Sequence, residues 1–170
     1  MDLKTINPRE LKGNIFELIG EKWMLVTAAK KSGEINTMTA SWGGMGIMWG
    51  KPVAVCVIRP VRYTYEFIES AEYFTLAFFS EQYRKALNLL GTKSGRDTDK
   101  IKESGLTPFE LPEFKAHSFK EAETTLVCKK IYYQDIDPAN FIDEELDKNY
   151  PNKDYHRMYS GEIVRVFSNL

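Results

Sequence analysis

The chain has 170 residues, 43% of them hydrophobic and 13% aromatic. That suits one compact domain, residues 1–170, with a sizeable core. A formal net charge of −1 with no long basic tract gives no pull toward nucleic acid or an anionic membrane, and no apolar run approaches the length of a membrane span. Met1-Asp2-Leu3-Lys4 carries no apolar leader, and Cys56 and Cys128 form no CxxC pair. The expectation is a cytoplasmic protein with two buried reduced thiols and neither a zinc nor a thioredoxin-type centre.

Asn7-Pro8-Arg9-Glu10 reads as a helix start, with Asn as cap and Pro in the first turn, and predicts a short helix to about Leu18. Trp23–Ala29 is the first strand, Lys31-Ser32-Gly33 turns it, and Glu34–Trp42 returns as its hairpin partner. Along that return, Thr37, Thr39 and Ser41 share one face and Met38, Ala40 and Trp42 the other. Small hydroxyls followed by Gly43-Gly44-Met45-Gly46, read as a loop, leave room for a flat ligand and let backbone N–H groups approach it. Pro52–Ile58 is a buried strand that ends in Arg59. Arg62 follows three residues later, and Thr64 reads as the cap of a short helix, Tyr65–Ser70. Two guanidiniums and a hydroxyl at a helix N-terminus are what a phosphate monoester needs, so a flat ligand with a phosphate tail points to a mononucleotide. The competing reading is a plain hairpin strand, with Arg59 and Arg62 paired to Glu66 and Glu69 on the surface.

Farther on, Tyr73–Phe79 is a strand, and Ser80 caps a helix, Glu81–Leu90, that Gly91 ends. Thr92–Arg96 is a polar loop, and Asp97 caps a helix to about Ser104, with Gly105 after it. Thr107–Phe119 reads as irregular, holding Pro108 and Pro112. Two long strands follow, near Ala122–Tyr133 and Tyr155–Phe167, with a short acidic helix, Pro138–Leu146, between them. Many strands in antiparallel hairpins with short helices predict a mainly β fold with helical additions, a β-barrel rather than a doubly wound sheet. The glycines at 43–46 lack the dinucleotide-fingerprint spacing, Gly91-Thr92-Lys93-Ser94 lacks the first glycine of a P-loop, and no HExxH or nucleophile elbow is present.

Four blocks, in order, make the sequence resemble the flavin reductase-like family and its flavoredoxin-like members. They are Asn36-Thr37-Met38-Thr39-Ala40-Ser41-Trp42, Arg59-Pro60-Val61-Arg62-Tyr63-Thr64, Ser94–Lys100, and His156 followed by Ser160-Gly161-Glu162-Ile163. The resemblance implies an antiparallel FMN-binding split barrel. FMN would lie along Asn36–Trp42, with Arg59, Arg62, Tyr63 and Thr64 on its phosphate, Lys100 near the ring or the phosphate, and His156 lining the cleft. It further implies hydride transfer from NADH or NADPH to the flavin, and a homodimer with FMN near the interface; no side chain acts as a nucleophile, because the flavin carries the chemistry. The alternative within the same resemblance is an FMN-carrying electron-transfer protein reduced by a redox protein partner, and outside it a flavin-free interaction domain. Residue by residue, plainer readings stand beside these. Lys100 is equally a solvated helix lysine, His156 a strand-end histidine, Trp42 a core aromatic, and the rim Met45, Ile47, Met48 and Trp49 a dimer contact or a cofactor wall. The acidic stretch 135–152 has no functional reading.

Overall fold

The computed structural model describes residues 4–168; residues 1–3, part of the stretch expected above to carry no apolar leader, and residues 169–170 lie outside the described residues. Ten strands are described: β1 (Lys4–Ile6), β2 (Met24–Ala29), β3 (Ile35–Ala40), β4 (Gly43–Met48), β5 (Lys51–Ile58), β6 (Tyr73–Phe78), β7 (Pro108–Leu111), β8 (Ala116–Phe119), β9 (Thr124–Asp135) and β10 (Arg157–Ser168). The helices are α1 (Tyr63–Ser70), α2 (Arg84–Thr92) and α3 (Lys100–Ser104). An antiparallel eight-stranded sheet runs β3-β2-β6-β9-β10-β5-β4, with β1 added on β10, and β7 and β8 form a separate hairpin. No helix among the described residues is long and apolar enough to cross a membrane.

Strand β2 is buried along its whole length because both of its faces are covered. Met24, Val26 and Ala28 point into the barrel with Phe67, Ile68, Phe74, Leu76 and Tyr159. Leu25, on the other face, packs with Leu87 and Leu90 of α2 and with Phe79 and Phe119. Strand β3 inherits this arrangement through its register with β2, Thr37 opposite Thr27 and Met38 opposite Val26. The expected alternation is present: Met38 and Ala40 enter the barrel core, and Thr37 and Thr39 face the other way. Among the described residues β3 pairs with no strand beyond β2, so it is an edge of the sheet, and its far side looks toward β5.

Several expectations are corrected. The glycines at 43–46 are not a loop but strand β4, paired with β5. A Cβ at Gly43 would lie 2.2 Å from the Val55 carbonyl oxygen, so only glycine allows this approach. Trp49 (φ 51°) and Gly50 (φ 73°) turn β4 into β5, the doubly positive geometry of a tight hairpin. The expected helix 7–18 is instead a 3-10 turn, Pro8–Glu10, and a π-helical turn, Glu17–Glu21. Thr107–Phe119, expected to be irregular, contains the β7–β8 hairpin. The expected helix 138–146 is two 3-10 turns, Pro138–Asn140 and Glu144–Asn149, each capped by an aspartate. Helix α2 starts later than expected and runs through Gly91, and Asp99 rather than Asp97 caps α3. Cys56 and Cys128 are buried free thiols, and burial pushes both up from their ordinary range.

Candidate functional site

Two of the clefts around β3 and α1 gather most of the candidate residues. The first, about 180 Å³, is lined by Met38, Thr39, Ala40, Ser41 and Trp42 along β3 and its end, by Val57 and Arg59 at the end of β5, and by His156. It lies where the unpaired side of β3 faces β5. The second, about 210 Å³, is lined by Val61, Arg62, Tyr63 and Thr64 at the start of α1, by Thr92 at the end of α2 with Lys93 and Ser94 after it, and by Lys100. The last turn of α2 lies between them: Thr39 donates its hydroxyl to the Leu87 carbonyl at 2.6 Å, and a Cβ at Gly91 would lie 3.2 Å from Thr39 Cβ.

The second cleft has the chemistry of an anion site. Arg62 donates Nη2 to the Gly91 carbonyl at 2.7 Å. Lys100 is 3% exposed and donates Nζ to the carbonyls of Leu90 at 3.0 Å and Lys93 at 3.1 Å. Both cations thus sit on the C-terminal carbonyls of α2, where the helix dipole favours positive charge. Neither is in an ion pair among the described residues. Burial, with Arg62 adding to it, pushes Lys100 down to about 8, and burial with Arg59 nearby lowers Arg62. Two half-satisfied cations repelling each other in a small pocket are stabilised by an anion between them. The start of α1 adds to this. Arg62 is its N-cap residue and no side chain caps it; the Tyr65 N–H bonds the Arg62 carbonyl at 2.9 Å, which leaves the Tyr63 and Thr64 N–H groups for a ligand.

Thr64 does not cap α1 as expected; it lies inside the helix, buried, and its Oγ1 accepts a hydrogen bond from Asn36 Nδ2 at 2.9 Å. Its own proton is left to donate. Asn36, 3% exposed, is thereby committed to holding α1 against β3. The loop after Ser94 packs tightly on this pair: a Cβ at Gly95 would lie 2.5 Å from Asn36 Oδ1 and 3.1 Å from the Tyr63 ring. Tyr63 lines the second cleft with its ring under the Arg96 guanidinium, 4.7 Å away, and its hydroxyl donates to Glu34 at 3.1 Å.

Three other residues are placed differently from the sequence reading. Thr37 is fully buried: its hydroxyl shares a hydrogen bond of 2.8 Å with Thr27 and meets the Val26 carbonyl at 3.1 Å; the strand face expected to make room for a ligand is instead covered, with α2 on Thr39. Arg59 does not converge with Arg62. Its Nη1 donates to both carboxylate oxygens of Asp154, at 2.9 and 3.0 Å, and its Nη2 to the Asn149 carbonyl at 2.7 Å, while its guanidinium lies 5.0 Å from the Tyr150 ring centre. The surface pairs with Glu66 and Glu69 do not form either: Glu66 pairs with Arg96, and Glu69 with Arg157. Trp42 is not a core residue; it is 45% exposed with its ring 5.0 Å from that of His156. Burial, with Arg59 adding to it, pushes His156 down to about 4, so its imidazole is neutral at physiological pH. Sequence reasoning missed Asn149, Tyr150 and Asp154, which hold Arg59 and His156 from a segment whose only local signal is acidity.

Comparison with known proteins agrees with this architecture. The family profile described as "Flavin reductase like domain" matches residues 17–169. Among solved structures, a flavoredoxin of Desulfovibrio vulgaris (Miyazaki F) is 24% identical with a TM-score of 0.67, over 86% of this chain and 69% of that one. An FMN-binding domain of a flavin reductases-like enzyme from Shewanella baltica is 18% identical with a TM-score of 0.71, over 99% and 78%. Nitrilotriacetate monooxygenase component B from Bacillus cereus is 18% identical with a TM-score of 0.67, over 98% and 81%. At these identities the likeness is one of fold, an antiparallel split barrel. A search of curated protein sequences returned no match.

Proposed function

This chain belongs to the flavin reductase-like family, and from that premise we propose that it is an FMN-binding oxidoreductase that takes a hydride from NADH or NADPH. The observation that carries the reading is the cation pair Arg62 and Lys100, neither of them in an ion pair among the described residues, at the uncapped start of α1. A phosphate monoester fits that donor set: two positive groups, a hydroxyl proton on Thr64 and helix N–H groups. From there a ribityl chain would pass the last turn of α2, and a planar ring would lie in the cleft between Met38–Trp42 and His156. When bound, the flavin supplies the two-electron chemistry. The chain's own groups bind and shield it. The edge of β3 offers unpaired backbone donors and acceptors to the ring. Thr39 and Ser41 stand beside them, Trp42 and His156 wall the cleft, and Lys100 and Arg62 anchor the tail. Exposed Ile47, Met48 and Trp49 at the end of β4 support a homodimer as part of the same reading.

A second reading has its own observation. Residues 137–154, beside the ring cleft, carry six carboxylates against two lysines. That charge opposes the pyrophosphate of a nicotinamide dinucleotide and favours an FMN-carrying electron-transfer protein reduced by a protein partner. Anaerobic mixing of the FMN-loaded protein with NADH, and separately with NADPH, decides between the two. Prompt bleaching of the flavin absorbance is the result expected of the reductase. Persistence of colour until a chemical reductant is added would assign the carrier role.

A further inference from the structure

The segment between β9 and β10, residues 136–156, is tied to the ring cleft by more than proximity. Its inner side is a cluster of aromatic rings: Tyr150 lies 6.2 Å from Phe141, stacked, and 4.8 Å from Tyr155, centre to centre. Tyr150 is 3% exposed, and its hydroxyl oxygen lies 2.8 Å from His156 Nδ1. The same segment supplies Asp154 and the Asn149 carbonyl to Arg59. Both side chains that it holds, Arg59 and His156, line the ring cleft. The other imidazole nitrogen, Nε2, makes no hydrogen bond to protein among the described residues and is not a buried orphan.

A neutral imidazole carries one proton, on one nitrogen or the other, and the partner of Nδ1 decides which. A phenol donates more readily than it accepts, and an unprotonated ring nitrogen is a good acceptor. We propose that Tyr150 is a positioning residue: it donates its hydroxyl proton to His156 Nδ1 and so fixes the tautomer in which Nε2 carries the proton, presenting one N–H donor to the cleft. The ligand group this selects is a carbonyl or carboxamide oxygen. Only the identity of that ligand rests on the FMN reading. The charged groups facing His156 are Arg59 and Asp154, which neutralise each other as an ion pair; Trp42 and Tyr150 face it as uncharged rings. Burial and Arg59 keep the imidazole neutral, so the donor persists down to mildly acidic pH.

The test is imidazole nitrogen-15 NMR of the ligand-free protein at pH 7. The chain has two histidines, and a His117→Gln variant assigns the His156 signals. The expected result is a single His156 tautomer protonated on Nε2 in the wild type, and a mixture of both tautomers in Tyr150→Phe, which removes only the hydroxyl. A thermal melt checks that this variant is folded; if it is not, the wild-type spectrum and its retention from pH 5.5 to 8 decide alone. Protonation of His156 on Nδ1 in the wild type, or an unchanged tautomer in folded Tyr150→Phe, would overturn the proposal. No flavin is present, so failure here is separate from any failure to bind FMN.

Discussion

Replacing Arg62 by methionine is expected to weaken FMN binding by roughly 10- to 100-fold, the range for losing a charge-assisted hydrogen bond to a phosphate in a partly buried site. Riboflavin, which lacks the phosphate, should bind the variant and the wild type alike. The comparison isolates the anion site from the ring cleft, and flavin fluorescence titration reads both. Arg62 suits this test better than Lys100. Arg62 gives one hydrogen bond to the Gly91 carbonyl, whereas Lys100 satisfies the Leu90 and Lys93 carbonyls at the end of α2, so its loss would damage the helix as well. Arg62→Lys keeps the charge without the planar fork and should recover part of the loss. Equal weakening toward FMN and riboflavin would place Arg62 in the scaffold rather than on a phosphate.

FMN affinity is also expected to fall as pH rises above about 8. In the ligand-free protein Lys100 is pushed down to about 8 by burial and by Arg62. A phosphate dianion beside it favours the ammonium form, so above that pH binding must take up a proton. The dissociation constant then rises by up to about tenfold per pH unit until the pKa of the complex is reached. On the acid side the phosphate monoester loses its second charge near pH ~6. His156 contributes nothing to this profile between those limits, because it is already neutral. Affinity should therefore be greatest between about pH 6 and 8. Titrations at pH 7, 8 and 9 check this; a constant that stays flat to pH 9 would mean that Lys100 does not meet the phosphate.

The strands were legible wherever an apolar or alternating run was bounded by turn residues, as in the β2–β3 hairpin and in β5 and β6. The alternation of Thr37 and Thr39 against Met38 and Ala40 could be read directly. What covers the threonine face could not, because α2 lies some fifty residues away and its contact with Thr39 has no local signature. Thr64 followed the pattern of a helix cap, but the cap position fell on Arg62 and the hydroxyl went to Asn36, 28 residues back. Arg59 looked like a phosphate ligand from its spacing to Arg62; its partner Asp154 is 95 residues away. Gly43, Gly44 and Gly46 looked like a loop by composition, although Gly43 is required by the close approach of β5 within a strand pair. For Thr39, Thr64 and Arg59 a partner distant in sequence decided how the side chain was used.

On the proposed reading FMN sits between β3, α1 and the β9–β10 segment. The most direct measurement is the visible absorption spectrum of the purified protein after incubation with excess FMN and removal of free flavin by gel filtration. The expected result is a flavin spectrum that elutes with the protein, in proportion to the chain. A protein that emerges colourless, having been offered FMN near pH 7, would contradict it.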